Sequence, residues 1–231
     1  MYLLIDTTQS RLFLSLMDPK TGELSKSAFS DNNATQVSQY FFSQLQMLCG
    51  QATITPSEIT GIAINTGPGS FTGIRVGLTV ARMMAKFQPN IDSLFVFNTF
   101  ELLAATQNYR NQPVCILLNA YRGRHYRAVI CVTEDAEIAY LEEPAIFANN
   151  ESIVSDNHPI LIEPSLLPLL NLDIDTAYIE AISQLDEVMA FLLQKELQLE
   201  EKHHKVAFDN LLPNYMQQPH ITVKKAKTTL K

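Results

Sequence analysis

Residues 65–86 read NTGPGSFTGIRVGLTVARMMAK, and no other stretch limits the fold so narrowly. The apolar run GIAINT (61–66) that leads into it has the length of a buried strand. Gly67, Pro68 and Gly69 end that strand, and from about Ser70 to Lys86 apolar residues return at helical spacing. A strand, a glycine turn and a helix in succession form the unit of layered α/β folds. Backbone N–H groups at such a helix start can hold an anion. The spacing nevertheless excludes two common nucleotide loops. Gly67, Gly69 and Gly73 make G-x-G-x-x-x-G, one residue too long for a dinucleotide fingerprint, and no Gly-Lys-Ser/Thr follows. Ser70 also lacks the G-x-S-x-G frame of a hydrolase elbow.

The helix carries a second pattern. Gly73, Gly77, Ala81 and Ala85 recur every four residues and form a ridge of small side chains. Two glycines inside a helix cost about 0.8–1.0 kcal/mol each relative to alanine. Close packing is expected to offset that cost, either on the chain's own sheet or on a partner helix. Residues 37–48 predict another helix, with Val37, Tyr40, Phe41, Leu45 and Leu48 at helical spacing. Its other side, Gln36, Gln39, Ser43, Gln44 and Gln46, is polar but uncharged, which suits a protein contact as well as solvent.

Around these helices the chain reads as a repeated layout. Residues 2–6, 11–18 and a run ending near Phe29 predict three antiparallel strands, with Pro19 to Gly22 as a turn. Thr55-Pro56-Ser57-Glu58 predicts one short capped turn, residues 94–97 a buried strand, and Asn98 with Glu101 a helix start. The layout implies a mixed sheet with helices on its faces. LLIDTTQSRLFLSL (3–16) returns as ILLNAYRGRHYRAVI (116–130), offset by 113 residues, with Asn119 opposite Asp6 and Arg124 opposite Arg11. Two copies suggest two related lobes. Residues 160–163 predict a strand and 179–197 a helix. The expected divisions are 1–110, 111–223 and a basic tail at 224–231.

Composition narrows function. A net charge of −7 argues against a chain that grips nucleic acid alone. Four lysines (224, 225, 227 and 231) crowd the last eight residues, either as a solvated tail or as an arm beside RNA. Arg122, Arg124, His125 and Arg127 guard a strand edge or touch phosphates. Cys49, Cys115 and Cys131 are odd in number and widely spaced, as expected of buried thiols in a reducing, cytoplasmic setting. No apolar run reaches the ~18 residues of a membrane span, and the first ten residues lack the basic start of a signal peptide.

Together, IDTT (5–8) and GPGSFTGIRVGL (67–78) resemble the TsaB (YeaZ) family, subunits of the bacterial machinery that makes threonylcarbamoyladenosine in tRNA. LNAYRGRHY (118–126) resembles that family's D-A-R-x-G-E-V-Y segment, and LLPNYMQQP (211–219) its P-x-Y-x-R segment. The resemblance implies an actin/Hsp70-like (ASKHA, ribonuclease-H-like) two-lobed α/β fold, with mixed sheets and flanking helices, paralogous to the catalytic subunit TsaD. It implies a non-catalytic scaffold without cofactor. Such a scaffold would form a homodimer or bind a TsaD-like partner, with a TsaE-like ATPase joining, and would meet tRNA only through the complex. Carried onto this sequence, the interface is expected on helices 36–49 and 70–86. Its residues would be Val37, Tyr40, Phe41, Gln44, Leu45, Leu48, Ser70, Phe71, Gly73, Ile74, Val76, Gly77, Val80, Ala81 and Met84. Ala34, Asn119 and Gln217 depart from the family pattern, where His, Asp and Arg are usual.

Two enzyme readings compete. An ATP-binding kinase or ATPase of the same superfold would use IDTT as a phosphate loop, but Asn119 removes the second carboxylate and no glycine follows Gly123. A metallopeptidase needs clustered histidines, whereas His125, His158, His203, His204 and His220 offer no pair at metal-binding helical spacing.

Overall fold

The computed structural model describes residues 1–8, 11–30, 37–106, 108–151, 153, 158–170, 177–178, 185–199 and 204–214. Ala34, Gln217 and the lysine tail lie outside them, as does the side chain of Val37.

Alternating side chains build the first sheet. In β1 (Tyr2–Asp6), Leu3 and Ile5 point to one face and Leu4 to the other, all buried. β2 (Arg11–Met17) and β3 (Leu24–Ser30) follow antiparallel, while β4 (Gly61–Asn65) and β5 (Ser93–Phe97) join parallel, in the order β3-β2-β1-β4-β5. Leu3, Ile5, Leu14, Ile62 and Ile64 meet α1 (Val37–Gln51) and α2 (Phe71–Phe87) on the outer face. Between α1 and β4, Pro56–Glu58 form the single expected turn, with the Thr55 N–H donating to Glu58 at 2.8 Å.

The second sheet repeats the first. β6 (Val114–Tyr121), β7 (Arg124–Val132) and β8 (Ile138–Ala148) are antiparallel, and β9 (Ile160–Ile162) and β10 (Ala177–Tyr178) add parallel, in the order β10-β9-β6-β7-β8. Read from the other edge, this is the order and polarity of the first sheet. Cys115 lies in the outer core of this sheet, and burial pushes its thiol up to about 11, so it is a packing group and not a nucleophile at neutral pH.

Between the sheets lie α3 (Thr99–Ala104) and α4 (Leu185–Gln198). Asn98 and Glu101 make the expected reciprocal cap, each side chain accepting from the other's N–H at 2.9 Å. Phe95, Phe97 and Phe100 share one core with Ile116, Ile130, Met189 and Leu193. α4 packs on β1 and β2 although it follows the second sheet in sequence. Ile179 and Ile182, expected on the same helix, lie outside the described residues.

After α4 the chain crosses back to the first sheet. Lys205 bridges Phe95 antiparallel, with Val96 N–H donating to the His204 carbonyl at 2.9 Å and Val206 N–H to the Leu94 carbonyl at 2.8 Å. Leu211 is fully buried in the α1–α2 core, and the Arg82 guanidinium donates to its carbonyl. This strap covers the edge of β5, which would otherwise expose unpaired backbone groups.

Candidate functional site

The turn after β1 is a closed polar knot. Asp6 Oδ1 accepts from the Thr8 N–H at 2.8 Å and the Thr8 hydroxyl at 2.7 Å, and Oδ2 accepts from Asn65 Nδ2 at 3.2 Å. Asn65 Oδ1 in turn accepts from Gly67 N–H at 3.0 Å and the Thr99 hydroxyl at 3.2 Å. Asp6, Thr8, Asn65 and Thr99 are all buried. Burial raises the Asp6 pKa; the bonds from Thr8 and Asn65 pull it back, and the Asp186 carboxylate pushes it up again. Asp186 itself accepts from the Ser15 hydroxyl at 3.0 Å.

The glycine segment seals this knot. Ser70 N–H donates to the Thr8 carbonyl at 2.5 Å, and Gly73 N–H donates to Ser70 Oγ at 3.2 Å. Two of the free N–H groups at the start of α2, those of Ser70 and Gly73, are therefore occupied within the chain, which leaves fewer donors for the anion that the sequence offered to hold. A Cβ on Gly69 would collide with the Thr8 carbonyl, one on Gly73 with the Thr7 carbonyl, and one on Gly77 with the Thr7 hydroxyl.

That geometry corrects the expectation of a partner helix on the small-residue ridge. Gly73, Gly77 and Ala81 face β1 and β4 of their own subunit, and the close approach offsets the glycine cost there. Phe41, Leu45, Leu48, Ile74, Val80 and Met84 are likewise buried in the core under α1 and α2, so they are not available to a partner. Gln44, Ser70 and Val76 are half-buried, and Tyr40 and Phe71 are exposed. The residues that the spacing argument missed are on the outer side of the same helices: Phe42 (55% exposed), Met47, Met83 and Phe87 (72%). Arg75 lies over the Phe71 ring at 5.4 Å. With Tyr40 and Phe71, these make up half of the twelve exposed large hydrophobic side chains among the described residues. The missed signal was the apolar remainder of each helix once the core stripe had been assigned.

The second-sheet turn is built differently. Asn119 Oδ1 accepts from the Tyr121 N–H at 2.8 Å, the counterpart of the Asp6–Thr8 bond. Here the acid comes from the other strand: Glu163 accepts from the Asn119 N–H at 2.8 Å and from the Ser165 hydroxyl at 2.6 Å. Asn119 Nδ2 donates to Ser165 at 3.0 Å.

A third cluster joins the halves beside a cavity of about 560 Å³. His204 Nδ1 lies 3.0 Å from Glu196 and Nε2 3.7 Å from Glu101, and its ring stacks on Phe97 at 4.7 Å. Burial lowers the His204 pKa, but the bonds to Glu101 and Glu196 outweigh it and leave the imidazole above its ordinary value. Tyr140 donates to Glu101 at 3.2 Å, and burial raises its phenol. Among the described residues no group of three or more His, Cys, Asp or Glu side chains is placed to hold a metal.

Two mixed sheets of one topology, flanked by helices, with an Asx turn closing the first strand of each, define the actin/Hsp70-like (ASKHA) class. Solved structures agree. A Pseudomonas aeruginosa protein described as uncharacterized, with similarity to peptidase YEAZ, superposes with a TM-score of 0.73 at 16% identity, covering 94% of this chain and 99% of that one. YeaZ from the same organism gives 0.72 at 15% identity, covering 93% and 98%. The chain belongs to the TsaD family, described as tRNA N6-adenosine threonylcarbamoyltransferase, whose family model matches residues 34–149, half of its length. Among curated proteins, the tRNA threonylcarbamoyladenosine biosynthesis protein TsaB of Bacillus subtilis (strain 168) is 29% identical over 80 residues. That match spans about a third of each chain (34% of both). The TsaB (YeaZ) resemblance and the paralogy to TsaD read from the sequence agree with these matches. No described helix is long and apolar enough to cross a membrane.

Proposed function

We propose that this chain is a non-catalytic subunit that docks a TsaD-like threonylcarbamoyltransferase during threonylcarbamoyladenosine formation in tRNA. The observation that carries the reading is the outward face of α1 and α2, where Phe42, Met47, Met83 and Phe87 stand exposed on helices whose inner sides are fully packed. Apolar side chains concentrated on two neighbouring rigid helices suit a protein partner better than solvent. Two further points support the absence of chemistry. The Asp6 knot has its oxygens bonded internally, and the start of α2 is turned onto Thr8. A second copy of the chain would use the same face, so homodimer and heterodimer compete. A TsaE-like ATPase would join only after the TsaD-like subunit, and tRNA would be held by the assembly, in the cytoplasm.

Co-expression with the TsaD-like subunit of the same cell tests this. Wild type elutes as a complex. Met83→Glu with Phe87→Glu weakens it at least 30-fold, about 2 kcal/mol, the scale of an interface hot spot. The double variant melts within about 2–4 °C of wild type, since each surface substitution stays within about 0.5 kcal/mol. An unweakened complex sinks the assigned face. Micromolar Mg-ATP binding by the isolated chain favours the ATPase reading instead.

A further inference from the structure

The turn between β6 and β7 is shaped in a way that folding alone does not require. Tyr121 pairs with Arg124 across a two-residue loop, Arg122-Gly123. Three successive residues have left-handed backbones: φ is +58° at Tyr121, +56° at Arg122 and +73° at Gly123. A loop of this kind favours Asn-Gly, because side chains other than Asn and Asp resist that region. The chain instead places a tyrosine and an arginine there. Tyr121 is 64% exposed, and its N–H is tied to Asn119, which fixes how the residue is presented. A Cβ built on Gly123 meets nothing within 4 Å, so the tip is unobstructed.

The charges around the tip are sorted. Glu163 is engaged by the Asn119 N–H and Ser165, and Glu151 by the Ala148 N–H at 2.8 Å. Arg127 pairs with Glu142 at 3.2 Å and lies over Phe147. Among the described residues, Arg122 and Arg124 make no ion pair. What remains is an exposed ring with Arg122 next to it in the chain and Arg124 paired opposite it across the hairpin, on a chain whose net charge is −7. A ring takes the face of an unstacked base, and guanidinium groups take phosphates. A duplex presents no such base face, whereas a loop does.

The geometry points to this turn as a contact for a single-stranded RNA loop, one base stacking on Tyr121 and neighbouring phosphates meeting Arg122 and Arg124. The inference rests on the tRNA-modification reading above and adds a direct tRNA contact by this subunit.

Its test uses the full chain, alone and mixed with the TsaD-like subunit, and a fluorescent unmodified tRNA transcript read by anisotropy across a salt series. Tyr121→Ala is expected to weaken binding about 5- to 150-fold, as loss of one stacked base does, while Tyr121→Phe retains it. Arg122→Ala with Arg124→Ala lowers the slope of log affinity against log salt by about 1.4, from about 0.7 for each phosphate. Arg122→Gly separates folding from binding: relief of the turn raises Tm by about 2–4 °C while the slope falls. Equal affinities of Tyr121→Ala and wild type, an unchanged slope, or no binding by wild type in either setting overturns the contact. So does competition by polyglutamate as strong as by unlabelled tRNA, which assigns the turn to an acidic protein. Association of the two subunits is followed in the same samples by sedimentation. Its failure removes the scaffold reading, while the chain-alone titration still decides the turn.

Discussion

The two strand-end turns occupy equivalent places in sheets of one topology, yet one is sealed and the other open. After β1, Asp6, Thr8, Asn65 and Thr99 are buried beneath the start of α2. After β6, Tyr121 and Arg122 are exposed. The strands do not account for this, since they match in order and direction. The difference comes from the connection that leaves the fourth strand of each copy. β4 leads into Gly67, Gly69 and a long helix whose glycines admit the Thr7 and Thr8 backbone, whereas β9 leads only to a short turn at Leu167–Leu169 within the described residues. A duplicated scaffold thus becomes asymmetric through one connection, and the asymmetry separates a closed structural turn from a presented one.

The two turns differ most in what their glycines tolerate. Gly77→Leu pushes a branched side chain onto the Thr7 hydroxyl and Ile64. It is expected to cost about 3 kcal/mol, the upper end for overpacking, measured by urea unfolding. Gly123→Ala meets open space and pays only for its positive φ, about 1 kcal/mol. Equal losses at the two sites contradict the contrast of sealed and open.

Exchanging the strand-end residues sharpens it. Asn119→Asp sets a carboxylate at a residue whose N–H already donates to Glu163, and the like charge raises the folded pKa of the new aspartate above its unfolded value. The penalty, about 1–2 kcal/mol, is absent at low pH and grows as pH rises through that folded pKa. Unfolding at pH 3 and pH 7 should show it at pH 7 alone. Asp6→Asn sets two amide donors against each other, because Asn65 Oδ1 is held by Gly67 and Thr99. It costs about 1 kcal/mol. In wild type the raised Asp6 pKa means that stability falls as pH rises from the unfolded value, 3.8, through the folded one. The variant loses that slope.

The smallest effect lies between the halves. His204 has a folded pKa above its unfolded value, so its stabilisation is complete below about pH 6.5 and is lost as pH rises through the folded pKa. His204→Gln should flatten the dependence of Tm on pH over that interval.

Much of this was legible in the sequence. β1 to β5 and α1 to α3 follow from period and from caps such as Asn98 and Glu101, because the signals are local. The direction of the glycine ridge was not legible. Spacing every four residues says that something approaches closely, and both a neighbouring strand turn and a foreign helix satisfy it. The outward apolar set of Phe42, Met47, Met83 and Phe87 has no separate mark in the sequence, because an apolar residue on a helix reads as core whichever way it faces. The return of residues 204–214 to β5 had no sequence mark either, since KVAFDNLLP lacks strand alternation and its partners are about 110 residues away.

That return has a consequence for synthesis. Leu211 completes the core beneath α1 and α2, and Arg82 is anchored to its carbonyl. A nascent chain that has emerged only as far as α4 has both helices but not the segment that clamps them. The packing of α1 and α2 is therefore complete only once residues 204–214 have emerged, and stalling after residue 200 should leave α2 open to protease. A segment made later thus governs when the first two helices become firm.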